Sequence, residues 1–184
     1  MTSAERRQRF DGIFQEHSRD LLAYALRRAG EPADAADVVA ETFLTAWRRI
    51  DRVPEGPEAR LWLFGTARRV MSNHRRGRAR RDALAERLRA HLATLPVPAE
   101  AGDGLAEVVR DAMAALRPDD REILALVGWE GLHPSEVAVV LGIPPGTART
   151  RLHRARARMR DELARRGVSP SRPDRTMTSL ETAR

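Results

Sequence analysis

The chain contains no cysteine, no lysine, and only four Phe, three Trp and one Tyr among 184 residues. Without cysteine there is neither a disulfide framework nor a thiolate metal site. The five histidines are scattered without metal-ligand spacing, so no metal and no cofactor is expected. Also missing are a glycine-rich phosphate loop, a nucleophile elbow and paired carboxylates in an evident pocket, which removes the common enzyme classes and leaves no catalytic residue to name. No apolar run approaches the roughly 20 residues of a membrane span. The first nine residues are polar and lack the apolar stretch of a signal peptide. A soluble, cytoplasmic protein is expected. Runs of β-branched and aromatic residues with period-two alternation are absent as well, which argues against strands.

What remains is helix and arginine. Thirty-three basic residues, all of them Arg, stand against 26 acidic ones, a formal net charge of +7. Guanidinium groups stay charged and fork onto phosphates and guanine edges, so a polyanionic partner is expected. The apolar spacing predicts a first helix over about Ala4–Ala29, closed by Gly30, and a second from Pro32 to near Ile50. A turn at Val53–Pro57 separates these from a third helix over about Glu58–Arg76, and a weaker helix follows over Asp82–Leu92. Residues 94–104 contain two Pro, two Gly and no basic side chain, and read as a linker reaching at most about 35 Å. Four more helices follow, at about Leu105–Leu116, Asp119–Trp129, Pro134–Leu141 and Thr147–Arg165. The tail 167–184 is Ser-, Thr-, Pro- and Arg-rich and is expected to be disordered. The fold class is therefore all-α: two small helical domains, 1–93 and 105–166, joined by a flexible linker.

The C-terminal half carries a helix-turn-helix. Ala138, Gly142 and Ala148 are spaced so that a small residue lies at the helix crossing and a glycine can leave the first helix in a left-handed conformation. Pro144 and Pro145 cannot continue that helix. His133 stands before Pro134, where a Ser or Thr cap would serve better, and Asp119–Asp120 read as a cap beside Pro118. The second helix turns Ala148, Leu152, Ala155, Met159 and Leu163 inward. Eight Arg lie between positions 149 and 166, against two acidic residues, Asp161 and Glu162. In such a motif the start of the second helix meets base edges in the major groove, which nominates Thr147, Arg149, Thr150, Arg151, His153 and Arg154.

The N-terminal half divides its charge. The second predicted helix is acidic early, with Glu31, Asp34, Asp37 and Glu41, and an acidic face needs solvent or a protein partner. The third has no acidic residue between Leu61 and Arg81, and sets Trp62 and Phe64 among Arg60, Arg68, Arg69, Arg75 and Arg76. Cations beside aromatic rings suit single-stranded nucleic acid, although both rings also fit a helical core.

The segments DVVAETFLTAW (Asp37–Trp47), WLFGTARR (Trp62–Arg69) and His74–Arg76 resemble region 2 of the extracytoplasmic-function (ECF) sigma factors. LRPDDREIL (Leu116–Leu124), Glu130–Leu132, Glu136–Ala138 and GTARTRLHRAR (Gly146–Arg156) resemble their region 4. The resemblance implies a promoter-specificity subunit of bacterial RNA polymerase core. Its region 2 would dock on the β′ clamp through the segment around Asp37, Glu41, Thr42, Phe43 and Trp47. The −10 strand would be met by the turn 51–58 and by Arg60, Trp62, Arg68, Arg69, Asn73, His74, Arg75 and Arg76. Region 4 would read the −35 element and touch the β flap. Many family members carry Asn where this chain has Arg69 and Asp where it has Asn73, which points to an altered −10 preference. An anti-sigma factor is a common partner in the family. The competing reading is a helix-turn-helix regulator that binds closed duplex, with a sensor or dimerisation domain in front. That reading leaves the pairing of acidic second and basic-aromatic third helices without a use.

Overall fold

The computed structural model describes residues 1–29, 31–89 and 104–168, with residues 74–89 described by their backbone. Among these residues there is no strand. The helices are α1 (Ser3–Leu26), α2 (Pro32–Arg48), α3 (Glu58–Arg89), α4 (Gly104–Ala115), α5 (Pro118–Gly128), α6 (Pro134–Leu141) and α7 (Pro145–Arg165), with a 3-10 turn at Ile50–Arg52.

Local chemistry accounts for most boundaries. The Thr2 hydroxyl accepts from the Glu5 N–H at 3.2 Å, and the Glu5 carboxylate accepts from the Thr2 N–H at 2.7 Å, a capping box that starts α1. Helices α2, α5, α6 and α7 open with proline, whose missing N–H would have had no partner there. His133 does cap α6: its Nδ1 accepts from the Ser135 N–H at 3.4 Å, while Glu136 accepts from the His133 N–H at 2.7 Å. Gly142 leaves the helix at φ 65°.

Three expectations change. The break expected between Arg76 and Asp82 does not occur, and α3 runs unbroken to Arg89. No proline interrupts this stretch, and Gly77 alone costs only about 1 kcal/mol. Helix α1 stops at Leu26, with Arg27–Ala29 in a turn. Asp119 and Asp120 do not cap α5. Arg117 is the N-cap residue, without a side-chain cap bond, and Asp120 reaches across to Arg158 instead. Gly30, most of the 94–104 linker and nearly all of the 167–184 tail lie outside the described residues.

One apolar core runs through both halves. Leu21, Tyr24, Phe64 and Ala67 from α1 and α3 share it with Ile123, Leu126, Val137, Val140, Leu152 and Ala155 from α5, α6 and α7. The rings of Tyr24 and Phe64 stack at its centre, 4.6 Å apart and 13° from parallel. Helix α3 crosses α6 at Gly65, where a Cβ would stand 3.4 Å from the Val140 carbonyl oxygen. At the far end Phe10, Phe14, Phe43 and Trp47 form an aromatic cluster that ties α1 to α2.

Candidate nucleic-acid interface

The helix-turn-helix is α6 and α7. Ala138 and Ala148 are buried where the two helices meet, and Leu152 and Ala155 continue the inward stripe. Facing away from that stripe, Arg149, Thr150, Arg151, His153 and Arg154 are exposed, and Thr147 is half-buried. The Thr150 hydroxyl donates to the Gly146 carbonyl at 3.0 Å. One flank of α7 is bolted to α5: Arg158 Nη1 donates to both Asp120 oxygens, at 2.8 and 2.7 Å, and Asp120 is buried. The last turn of α7 is closed on itself by Glu162, which accepts from Arg166 and pairs with Arg165 at 2.7 Å. The Arg166 hydrogen bond holds the Glu162 carboxyl below its ordinary value, against the effect of burial. The exposed face of α7 thus stands on a helix tied to α5 through Asp120.

On α3 the nominated residues divide. Arg69 and Asn73 are exposed, Arg68 is half-buried, and Arg69 Nη2 donates to the Thr66 hydroxyl at 3.1 Å. Trp62 is half-buried and packs against the core, and Phe64 is fully inside. Arg60 lies at the seam between the halves. Its Nε donates to Asp20 at 2.8 Å, its Nη2 to the Glu130 carbonyl at 3.3 Å, and its guanidinium sits 4.8 Å from the Phe64 ring centroid. The side chains of His74, Arg75 and Arg76 lie outside the described residues. The turn before α3 is braced by α1, since Arg9 Nη2 donates to the Val53 carbonyl at 2.6 Å and Arg6 pairs with Asp51 at 3.3 Å.

The seam is the most charged interior in the molecule's described part, and sequence reading missed it. Arg28, at the end of α1, donates to Glu122 at 3.0 Å and to Glu130 at 2.7 Å, and lies 3.8 Å from the Tyr24 ring centroid. Arg27 adds a 2.5 Å bond to Glu130, and the Tyr24 hydroxyl donates to Glu122 at 3.1 Å. Arg28 and Glu130 side chains are 8% and 2% exposed, so this pairing is desolvated. Burial pushes the Tyr24 hydroxyl well up, and the Glu122 carboxylate pushes it further. Burial works against the Arg28 cation, but Glu122, Tyr24 and the bond to Glu130 outweigh it, so its pKa is raised. Cross-half pairs of this kind leave no local pattern. The only sequence hint is a pair of arginines where a helix ends, and these also suit the helix dipole.

On α2, Asp37 and Glu41 are exposed, as is Leu44, which sequence reading did not nominate. Trp47 is 36% exposed and sits at the rim of the aromatic cluster. Thr42 and Phe43 face inward, the Thr42 hydroxyl donating to the Val38 carbonyl at 2.6 Å. Among the described residues no cluster of three His, Asp or Glu could hold a metal ion, and no helix is long and apolar enough to cross a membrane.

An arginine-faced helix-turn-helix packed against a three-helix unit with one acidic and one basic surface defines an all-α protein of the DNA-binding class. The family model for Sigma-70 region 2 matches residues 13–81, and that for Sigma-70, region 4 matches residues 106–159. The chain is 32% identical over 159 residues to the ECF RNA polymerase sigma factor SigL of Mycobacterium tuberculosis, covering 85% of this chain and 90% of that protein. It is 29% identical to the RNA polymerase sigma factor CarQ of Myxococcus xanthus, covering 84% and 88% of the two chains. The chain belongs to the ECF RNA polymerase sigma factors. Its architecture matches that of the sigma factor RpoE solved with the anti-sigma factor NepR from Bartonella quintana, at TM-score 0.64 and 25% identity, covering 84% of this chain and 96% of that one. It also matches CnrH in complex with the cytosolic domain of CnrY, at TM-score 0.58 and 26% identity, covering 85% and 88%.

Proposed function

We propose that this sigma factor divides its work between the two halves, with residues 1–93 docking on polymerase and capturing the −10 strand, 94–104 linking, and 105–166 reading the −35 element. The observation that carries this reading is the exposed arginine face of α7, tied to α5 through Asp120, on the same chain as the exposed carboxylates of α2. Asp37 and Glu41, with Leu44 and the edge of Trp47, form the surface offered to the β′ clamp. Thr42 and Phe43 support it from inside. Arg68, Arg69 and Asn73, continuing into His74, Arg75 and Arg76, form the −10 surface, to which Arg60 and Trp62 belong once the seam opens. Unstacking four base-pair steps costs about 6 kcal/mol, and a basic surface that holds the released strand offsets part of it. The protein works in the cytoplasm, where polymerase is. The anti-sigma complexes of its structural relatives support an anti-sigma partner for this chain as well.

The packed arrangement cannot span a promoter. The −35 and −10 elements lie about 25 base pairs apart, about 85 Å at 3.4 Å per step, whereas a compact chain of this length has a radius of gyration of about 16 Å. The halves therefore part on the promoter, freeing Arg60 from the Glu130 carbonyl while its pair with Asp20 on α1 stays within the N-terminal half. Transcription with core polymerase on a genomic library, read by start-site sequencing, tests the reading. A restricted promoter set is expected, and the absence of stimulation on every promoter of the source genome would overturn it. Charge reversal at Asp37 and Glu41 should weaken polymerase binding, whereas unchanged polymerase affinity would move the docking surface elsewhere.

A further inference from the structure

Beside the recognition surface, a concave cleft opens between the start of α5 and one flank of α7. It is lined by Arg117, Asp119, Asp120, Arg151, Arg154 and Arg158 and encloses about 180 Å³. A cleft of this size admits a tetrahedral oxyanion with water around it. Arg151, Arg154 and Arg158 reach it together because residues three and four apart share a helix face. Asp120 is neutralised by Arg158, which also fixes the cleft wall. Among the described residues no carboxylate forms an ion pair with Arg117, Arg151 or Arg154, so three guanidinium groups face one acidic neighbour, the exposed Asp119. The first-turn amides of α5 carry no side-chain cap, and their N–H groups point out of the same helix end.

We propose that this cleft seats one backbone phosphate of the −35 duplex, held by Arg117, Arg151 and Arg154, and that base reading falls to Arg149 and His153 on the opposite flank of α7. The proposal rests on the reading of α7 as a −35 recognition helix and divides the residues nominated for it. At 100° per residue, Arg151 and Arg154 lie on the α5 side of the inward stripe, and Arg149 and His153 lie on the other side or outward. Phosphate contacts fix register and orientation, and base contacts carry the sequence information. A phosphate clamped at the cleft would set the depth at which Arg149 enters the groove.

The test uses holoenzyme assembled from the full chain and core polymerase, on promoters with a randomised −35 element. Arg151→Ala, Arg154→Ala and Arg117→Ala should each leave the selected −35 sequence unchanged. Each should also lower the slope of log affinity against log salt by about 0.9 per phosphate no longer neutralised. Arg149→Ala should instead change the base preferred at one or two positions with a smaller change in slope. Melting curves of each variant separate these effects from unfolding, and Arg→Lys at 151 and 154 should restore most of the salt slope. A changed consensus for the Arg151 or Arg154 variant, or wild-type affinity and slope for Arg117→Ala, would overturn the phosphate seat while leaving α7 a reader of DNA. Failure of the wild-type holoenzyme to select any −35 sequence would overturn the underlying reading itself.

Discussion

Glu162 and Tyr24 show how single side chains fix this molecule and what each is worth. Glu162 is a buried carboxylate on a helix otherwise faced with arginine, and the Arg166 bond keeps its pKa below the ordinary 4.5. Because the folded-state value is depressed, its stabilisation is present at neutral pH and is lost as pH falls through the range below 4.5. Glu162→Gln should therefore flatten the acid limb of a thermal-unfolding series and lower stability near pH 7. An acid limb identical to wild type would show that Glu162 contributes nothing. Tyr24→Phe removes one hydroxyl that donates to Glu122 but keeps the stack on Phe64. A cost of about 1 kcal/mol is expected, read from denaturant midpoints. Single residues were the least legible scale in the sequence. Arg149 and His153 announce an exposed basic face by their spacing, but nothing around Tyr24 or Arg28 marks them as partners of Glu122, which lies 98 and 94 residues further on.

Elements were legible where their cause is local. The Ala138–Gly142–Ala148 spacing and the proline at the start of α6 act within about fifteen residues of chain, and the helix-turn-helix follows from them. Gly142 at φ 65° is the sharpest case. Gly142→Ala places a Cβ in the left-handed region and should cost about 1–2 kcal/mol, and Gly142→Asn should cost less. Equal stability of the two variants would mean that the α6–α7 turn relaxes. Where the cause is weak or distributed, the reading failed. A lone glycine and a run of arginines gave no reason to choose between one long α3 and two shorter helices, and continuity of the backbone hydrogen bonds prevailed. The 119–120 carboxylates looked like a cap because Asp favours that place, but a buried partner on α7 drew Asp120 away.

At the scale of the whole molecule, the two halves share a core and a set of buried ion pairs, and the seam can be tested without changing a residue nominated for either DNA surface. The chain has no cysteine, so Gln15→Cys and Arg160→Cys, both at exposed positions, supply sole attachment points for a dye pair. Glu130→Gln leaves Arg27 and Arg28 under-neutralised, and breaking a buried pair in this way costs about 3–5 kcal/mol. Gly65→Leu forces side-chain atoms against Val140 across the α3–α6 crossing. Both variants should lengthen the dye distance while the helix content by circular dichroism stays the same. A wild-type distance in both would show that the halves do not separate where the seam lies. The sequence revealed two halves joined by a linker but not that they close on each other, because closure rests on side chains 94 and 103 residues apart.

With the halves parting on a promoter as proposed, the Glu130 seam also places folding and transcription in opposition. Affinity measured on the free chain is the intrinsic affinity scaled by the fraction already parted, and each 1.4 kcal/mol in the seam changes that fraction about tenfold. Under the proposed parting of the halves, Glu122 and Glu130 lie outside both proposed DNA surfaces yet set how much of the chain is available to a promoter at a given concentration. A substitution there can lower the melting temperature and raise initiation together, so the most thermostable variant of this protein need not be its most active one.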